Sequence, residues 1–164
     1  MNIAQALALV AATVTCGLVS GLFYAFACSV MPALRGGDDR TFIDVMQRIN
    51  VAILNGWFVL GYIGAFVFTA LAIGLQLGGG DRDAVGPTIG AFICYLASMS
   101  VTSQVNIPLN KALDAAGHGG RIAGPHEVRE RFEGRWVRWN IVRAVLCSTA
   151  TGLLCWSLVL HGAS

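Results

Sequence analysis

The chemistry-bearing residues gather around Trp136-Val137-Arg138-Trp139-Asn140-Ile141-Val142-Arg143, which runs from a charged stretch into an apolar one and carries an arginine with it. At helical spacing Trp136, Asn140 and Arg143 fall at i, i+4 and i+7 and share one face. An Arg on a membrane helix costs about 2.5–3.5 kcal/mol at the bilayer centre and less near the edge, so it needs the interface, a partner or a function. Amides come from two further stretches, Gln47 with Asn50, and Asn106 with Asn110 on either side of Pro108. A guanidinium and amides can stabilise negative charge developing on an oxygen, and the indoles of Trp136 and Trp139 can stack on a flat aromatic molecule. Each feature also has a plainer reading. Arg143 can snorkel to lipid phosphates, the two tryptophans can belong to an interfacial aromatic belt, and Asn106 and Asn110 can satisfy backbone groups freed by Pro108.

The elements that position these residues follow from where charge is missing. Only 12% of the 164 residues are charged, and no Asp, Glu, Lys or Arg occurs in 1–34, 49–80, 84–110 or 144–164. Roughly 20 apolar residues cross the hydrocarbon layer as a helix. The expected fold is therefore all-α, a single transmembrane four-helix bundle over 1–164 with spans at about 3–30, 52–77, 87–107 and 139–160. Arg35, Arg40 and Arg48 occupy the first connection, and Lys111, Arg121, Arg129, Arg131, Arg135 and Arg138 the third, against Arg82 alone in the second. The positive-inside rule then puts the first and third connections in the cytoplasm and both termini outside, in the cytoplasmic (inner) membrane. No cleaved leader is expected, because the first basic residue is Arg35. The net charge of +2 gives no reason to expect a nucleic-acid partner; the expected partners are membrane lipid and a hydrophobic small molecule.

Phe42, Val45, Met46, Ile49 and Ile53 recur at threes and fours, which predicts a short amphipathic helix that lies on the membrane surface or extends the second span, with Asp38, Asp39 or Thr41 as its cap. The first span is expected to end near Met31-Pro32, and Pro108 to break the third. Gly78–Asp83 reads as a short external turn and Gly117–Gly120 as a flexible one, and His126–Arg138 as a charged helix running on into the last span. Gly17/Gly21, Gly86/Gly90 and Ala144/Ser148/Gly152 are small residues at spacing four. They allow close helix approach within a bundle or in a homo-oligomer.

On this topology Gln47, Asn50, Asn106, Asn110, Trp136, Trp139, Asn140 and Arg143 meet at the cytoplasmic end of the bundle, and the opposite end is plain. Metal sites are not expected. His118 and His126 fall in the third connection and His161 at the far end of the last span, and no carboxylate interrupts an apolar run. Cys16, Cys28, Cys94, Cys147 and Cys155 lack a C-x-x-C pair and read as small buried hydrophobes.

Four stretches resemble a known family. These are Phe23-Tyr24-Ala25-Phe26-Ala27-Cys28-Ser29-Val30-Met31-Pro32-Ala33-Leu34, Met46-Gln47-Arg48-Ile49-Asn50, Asn106-Ile107-Pro108-Leu109-Asn110 and Trp136–Arg143. In that order they are similar to the signature elements of the anthrone-oxygenase-like membrane proteins, over essentially the whole chain. At Asn55-Gly56 this sequence departs from the family, where proline often follows the asparagine. The resemblance implies a four-helix membrane protein and, for some members, oxidation of an anthrone to an anthraquinone. An anthrone enolate reacts with O2 directly, so neither metal nor flavin is implied. Trp136 and Trp139 would wall the substrate, with Gln47 and Asn50 also binding it. Arg143, Asn140, Asn106 and Asn110 would hold the enolate. The base is not evident; Asp44 is the candidate, unless the substrate arrives ionised. The alternative is a non-catalytic binder of a lipid or small molecule, or an accessory subunit of a larger membrane complex.

Overall fold

The computed structural model describes residues 2–80, 82–118 and 122–163. Its helices are α1 (Ile3–Ala25), α2 (Met31–Arg35), α3 (Asp39–Ala52), α4 (Gly56–Gly79), α5 (Arg82–Val101), α6 (Ile107–Ala115) and α7 (Pro125–Ala163). A π-helical turn joins α1 to α2 (Phe26–Val30) and another joins α5 to α6 (Thr102–Asn106). Four continuous stretches are long and apolar enough to cross a membrane: Ile3–Arg35, Gly56–Gly79, Arg82–Ala115 and Pro125–Ala163. The protein is an integral membrane protein built as one four-helix bundle. Its outer surface is apolar, with Leu18, Val67, Ile93, Val145 and Val159 all exposed.

The prolines do not end the first and third spans, contrary to the sequence expectation. A helical proline lacks its N–H, and its ring collides with the carbonyl four residues back. Here the amides of Met31 and Ile107, each just before a proline, donate five residues back to the carbonyls of Phe26 and Thr102. The wider turn makes room for the ring, and the helix continues to Arg35 or Ala115.

The amphipathic segment forms α3, capped by Asp38. Its carboxylate accepts from the Arg40 and Thr41 amides at 3.1 and 3.0 Å and from the Thr41 hydroxyl at 2.6 Å. That hydroxyl and the amides hold the Asp38 carboxyl below the usual carboxylate range. The helix does not extend the second span. It buries Phe42, Ile43, Met46 and Gln47 against α6 and α7. The second span begins at Gly56 rather than 52, because Asn55 bends the chain: its Oδ1 accepts from the Phe58 amide at 3.1 Å and its Nδ2 donates to the Ala52 carbonyl at 2.9 Å. The bend therefore forms without a proline after Asn55.

At the other end of α4, Gly80 adopts φ +75°, the left-handed conformation that closes a helix. Asp81 of the expected turn, and Gly119 and Gly120 of the other, lie outside the described residues. The charged stretch after Pro125 does run into the last span as one helix.

The middle of the bundle is packed with small residues. Ala12, Cys16, Ala65, Ala72, Cys147 and Ala150 are buried together with Leu9, Tyr95 and Leu154. Gly17 and Gly90 face Thr151 and Leu153 of α7, and Ser20 shares a 2.8 Å hydrogen bond with Ser148. Gly21, Gly86 and Gly152 face open space. Cys16 and Cys147 are buried, whereas Cys28 and Cys155 are exposed and Cys94 is half-buried. A second, bulkier core of Phe26, Met31, Phe42, Met46, Leu113, Phe132 and Trp136 closes the end where the first and third connections lie.

The two halves follow one plan. Each has a spanning helix with a π turn ahead of a proline, then a helix with large residues and an Asn at spacing four: Phe42, Met46, Asn50 and Phe132, Trp136, Asn140. The rings of Phe42 and Phe132 meet edge-on at 6.2 Å. The plan breaks in two places. The helix is interrupted after Asn50 but not after Asn140, and Ile53 stands where the second half has Arg143.

Arg129 ties this end together. It donates to Glu133 (2.8 Å), Asp39 (3.0 Å) and the carbonyls of Gly37 and Arg35 (both 2.9 Å), with its guanidinium 4.5 Å from the Phe42 ring centre. Its side chain is only 12% exposed, so these bonds are poorly replaced by water. Hydrogen bonds to charged groups contribute about 1.5–3 kcal/mol each. Arg129→Ala is expected to destabilise the fold by about 2–3 kcal/mol, read as a lowered thermal midpoint in detergent, whereas Arg131→Ala, whose 3.3 Å pair with Glu127 is exposed, should change it little.

Candidate functional site

A cavity of about 580 Å³ lies at the end of the bundle closed by the bulky core. Such a volume suits one flat organic molecule. Its walls come from both π turns (Phe26, Thr102, Asn106), the end of α3, the α3–α4 connection, the start of α4, α6 and α7. The site therefore exists where the helices are irregular.

Arg143 is its charged centre. The side chain is 5% exposed. Nη2 donates to Asn140 Oδ1 at 2.8 Å and Nη1 to Thr102 Oγ1 at 3.3 Å. Its guanidinium lies 4.1 Å from the Phe23 ring centre and 5.6 Å from that of Trp136. It takes part in none of the ion pairs among the described residues. The arginine does not snorkel to the surface. It is a buried cation held by neutral groups and ring faces, and Nε is left without a partner. Such a cation has unspent capacity for an anionic oxygen.

Seven of the eight residues singled out in the sequence line this cavity: Arg143, Asn140, Asn106, Asn110, Trp136, Gln47 and Asn50. Trp139 does not. One residue before Asn140 on α7, and so about 100° around the helix, it points elsewhere and is half-buried, so it does not wall the cavity. The seven also differ in what they have left to give. Gln47 donates to the Leu113 and Gly117 carbonyls at 2.8 and 2.9 Å, and its Oε1 contacts His118 Nδ1 at 3.0 Å. It caps the end of α6 from a neighbouring helix and has no donor free for a ligand. Asn140 is also engaged at both ends, with Nδ2 on the Phe23 carbonyl at 3.0 Å and Oδ1 on Arg143. Asn110 Oδ1 accepts from Trp136 Nε1 at 2.9 Å.

Asn106 is different. It is 1% exposed, and neither Nδ2 nor Oδ1 has a partner; Asn50 Nδ2 is also unsatisfied. Pro108 removed no bond that Asn106 repairs, because the π turn absorbed the proline. A buried amide with both ends unspent costs stability unless something else supplies the bonds. Asn106, Asn50 and Arg143 all line the cavity, and each keeps polar atoms that no hydrogen bond within the fold uses.

Sequence reasoning missed the rest of the lining. Phe58 and Tyr62 of α4 stack at 5.3 Å, and with Phe23 and Phe26 of the first span they give the cavity a second aromatic surface. Trp136 is fixed between Phe26 (5.7 Å) and Phe132 (6.1 Å). These aromatics sit inside apolar runs, where nothing in the pattern separates a lining residue from a core or lipid-facing one. Lys111 and Asp114 line the cavity's polar rim. Asp44 does not line it; it pairs with Arg48 at 3.0 Å beside a shallower groove. Among the described residues, no group of three or more His, Cys, Asp or Glu is placed so that it could hold a metal ion.

The opposite end of the bundle is not plain, as the sequence suggested. Gln5, Gln76, Thr88, Ser157 and His161 are buried there. Ser157 Oγ donates to the Ala84 carbonyl at 2.9 Å, contacts Thr88 Oγ1 at 2.7 Å and accepts from Gln76 Nε2 at 3.1 Å. Being uncharged or terminal, these groups escape a search for charge in apolar runs. Gln5, Gln76, Thr88 and Ser157 cross-link helices.

A family model described as anthrone oxygenase matches residues 49–153, well over half of the chain. The match holds Asn50, Asn106, Asn110, Trp136, Asn140 and Arg143; the similar stretch at 23–34 and Gln47 precede it. Neither the curated proteins nor the solved structures contain a match.

Because Asn106 is an unsatisfied buried amide, Asn106→Leu is expected to raise the thermal midpoint of the ligand-free protein, by about 1–3 kcal/mol in stability. A drop would mean that Asn106 is held by the fold rather than kept for a ligand.

Proposed function

This chain belongs to the anthrone oxygenase family, and from that membership and the cavity we propose that it oxidises a flat hydrophobic, anthrone-like substrate with O2. The observation that carries the proposal is the buried, carboxylate-free Arg143 beside the unspent amide of Asn106 in an aromatic-lined cavity. The substrate ring lies among Phe58, Tyr62 and Trp136. Its carbonyl oxygen is held by Arg143 and Asn106. As the methylene proton leaves, negative charge moves onto that oxygen, where fixed donors stabilise it more than they stabilise the neutral ketone.

The enolate carbon then bonds to O2, giving a hydroperoxide once protonated. Loss of water across the C–H and O–O bonds leaves the quinone. The overall balance is anthrone plus O2 to anthraquinone plus water, and no metal or flavin is called on. Asp114 is the lining carboxylate on the rim. It lies eight residues beyond Asn106 on the same continuous stretch, roughly 12 Å along a helix, so it receives the proton through solvent at the rim and does not touch the reacting carbon. The excess of Lys and Arg in the first and third connections supports a cytoplasmic placement of this end of the bundle.

One observation favours a second reading, a non-catalytic binder of a lipid or hydrophobic small molecule: none of the lining residues near Arg143 is a carboxylate or imidazole that could act as base. Oxygen uptake with an anthrone separates the two. The wild-type protein is expected to consume O2 and form the quinone, and Arg143→Gln to lose about 10²–10³-fold in kcat, as when an oxyanion donor is removed. Unchanged turnover in a folded Arg143→Gln protein would remove Arg143 from the chemistry. No turnover in the wild type would favour the binder.

A further inference from the structure

We infer that the cavity opens sideways into the hydrocarbon layer, between the start of α4 and α6, and takes its ligand from the bilayer. A residue that both lines a cavity and is largely exposed marks where the cavity meets its surroundings. Five apolar residues do both: Val51 (71% exposed), Leu54 (74%), Val59 (48%), Ile63 (45%) and Ile107 (43%). They come from the end of α3, the α3–α4 connection, α4 and α6, so they frame a gap between elements. The gap falls where packing is slack, since α4 lies more closely on α1 than on α5.

The depth of the opening is set by charge. All five residues lie in the charge-free runs 49–80 and 84–110. The first charges beyond them on the rim are Lys111 and Asp114, both exposed. Ile107 is one helical turn, roughly 6 Å, on the apolar side of Lys111. In a four-helix membrane protein the apolar lip therefore faces acyl chains, with the charged lip at headgroup level. A row of exposed Val, Leu and Ile around a water-facing entrance would be costly, whereas around a lipid-facing one it is the low-energy arrangement.

The ligand this geometry takes is a membrane-dissolved amphiphile. Its apolar body passes between Leu54 and Ile107, and a polar oxygen goes ahead to Asn106 and Arg143. The inference rests on the cavity being the ligand site, but not on turnover.

Trp136 reports on the interior, being 4% exposed and lining the cavity. A protein whose only tryptophan is Trp136 (Trp57→Phe, Trp139→Phe, Trp156→Phe) is placed in phosphatidylcholine vesicles with or without bromine at mid-chain. Brominated chains should lower its emission by at least about a third, and aqueous acrylamide should do little. Adding Leu54→Phe and Ile107→Phe, which narrows the gap, should restore the emission. Three results would each overturn the proposal: no quenching by brominated chains, quenching that the two phenylalanines do not relieve, or acrylamide as the stronger quencher. Since the readout is fluorescence, an inactive protein can still show the portal and an active one can lack it.

Discussion

A guanidinium kept in the interior of a membrane bundle without a carboxylate is the constraint around which this end of the molecule is arranged. Hydrocarbon cannot solvate it, so every favourable contact must come from the protein. Asn140 and Thr102 supply two acceptors, and Phe23 and Trp136 present ring faces. Those partners must be held in turn. Asn140 is anchored on the Phe23 carbonyl, and Trp136 on Asn110 and between two rings. A neutral shell leaves the positive charge undiminished, whereas a carboxylate would have cancelled it. The cost is a site that is stable only because its surroundings are rigid.

The π turns make that shell possible. A regular helix would present Phe26, Thr102 and Asn106 in another register. By inserting one residue ahead of Pro32 and Pro108, the chain keeps two spanning helices continuous and rotates these side chains toward the cavity. The repeated plan of the two halves shows how one cavity arises from two similar units. Where the second half runs on as one long helix, the first breaks at Asn55. The break turns the end of α3 and the start of α4 into a wall, and leaves an apolar gap beside α6.

Stability and function divide along the same line. The small-residue core and the polar cross-links at the far end hold the helices close. Arg129 and Gln47 join connections to helix ends: Arg129 binds carbonyls around the α2–α3 turn, and Gln47 caps α6. Gln47 therefore sits in the cavity wall for a structural reason. Asn106 lies in the same wall with nothing to hold. The chemical type of a side chain did not separate these roles; the count of unspent donors and acceptors did.

The sequence by itself determined the membrane class, the four spans and the polar cluster at the end that carries the cavity. Each follows from where charge and apolar runs fall, and solvent reads those quantities residue by residue. It also brought Arg143, Asn140 and Trp136 onto one face, because helical periodicity is local. It could not decide that Pro32 and Pro108 are crossed, since that depends on a hydrogen-bond register five residues deep. Nor could it decide that Trp139 turns away, that Gln47 is spent or that Asn106 is free. Those depend on which carbonyls and rings other helices bring within about 3–4 Å, and on whether water is excluded there. Pairing and desolvation belong to the packed bundle, so only the tertiary structure turned a polar cluster into a cavity with a charge at its centre.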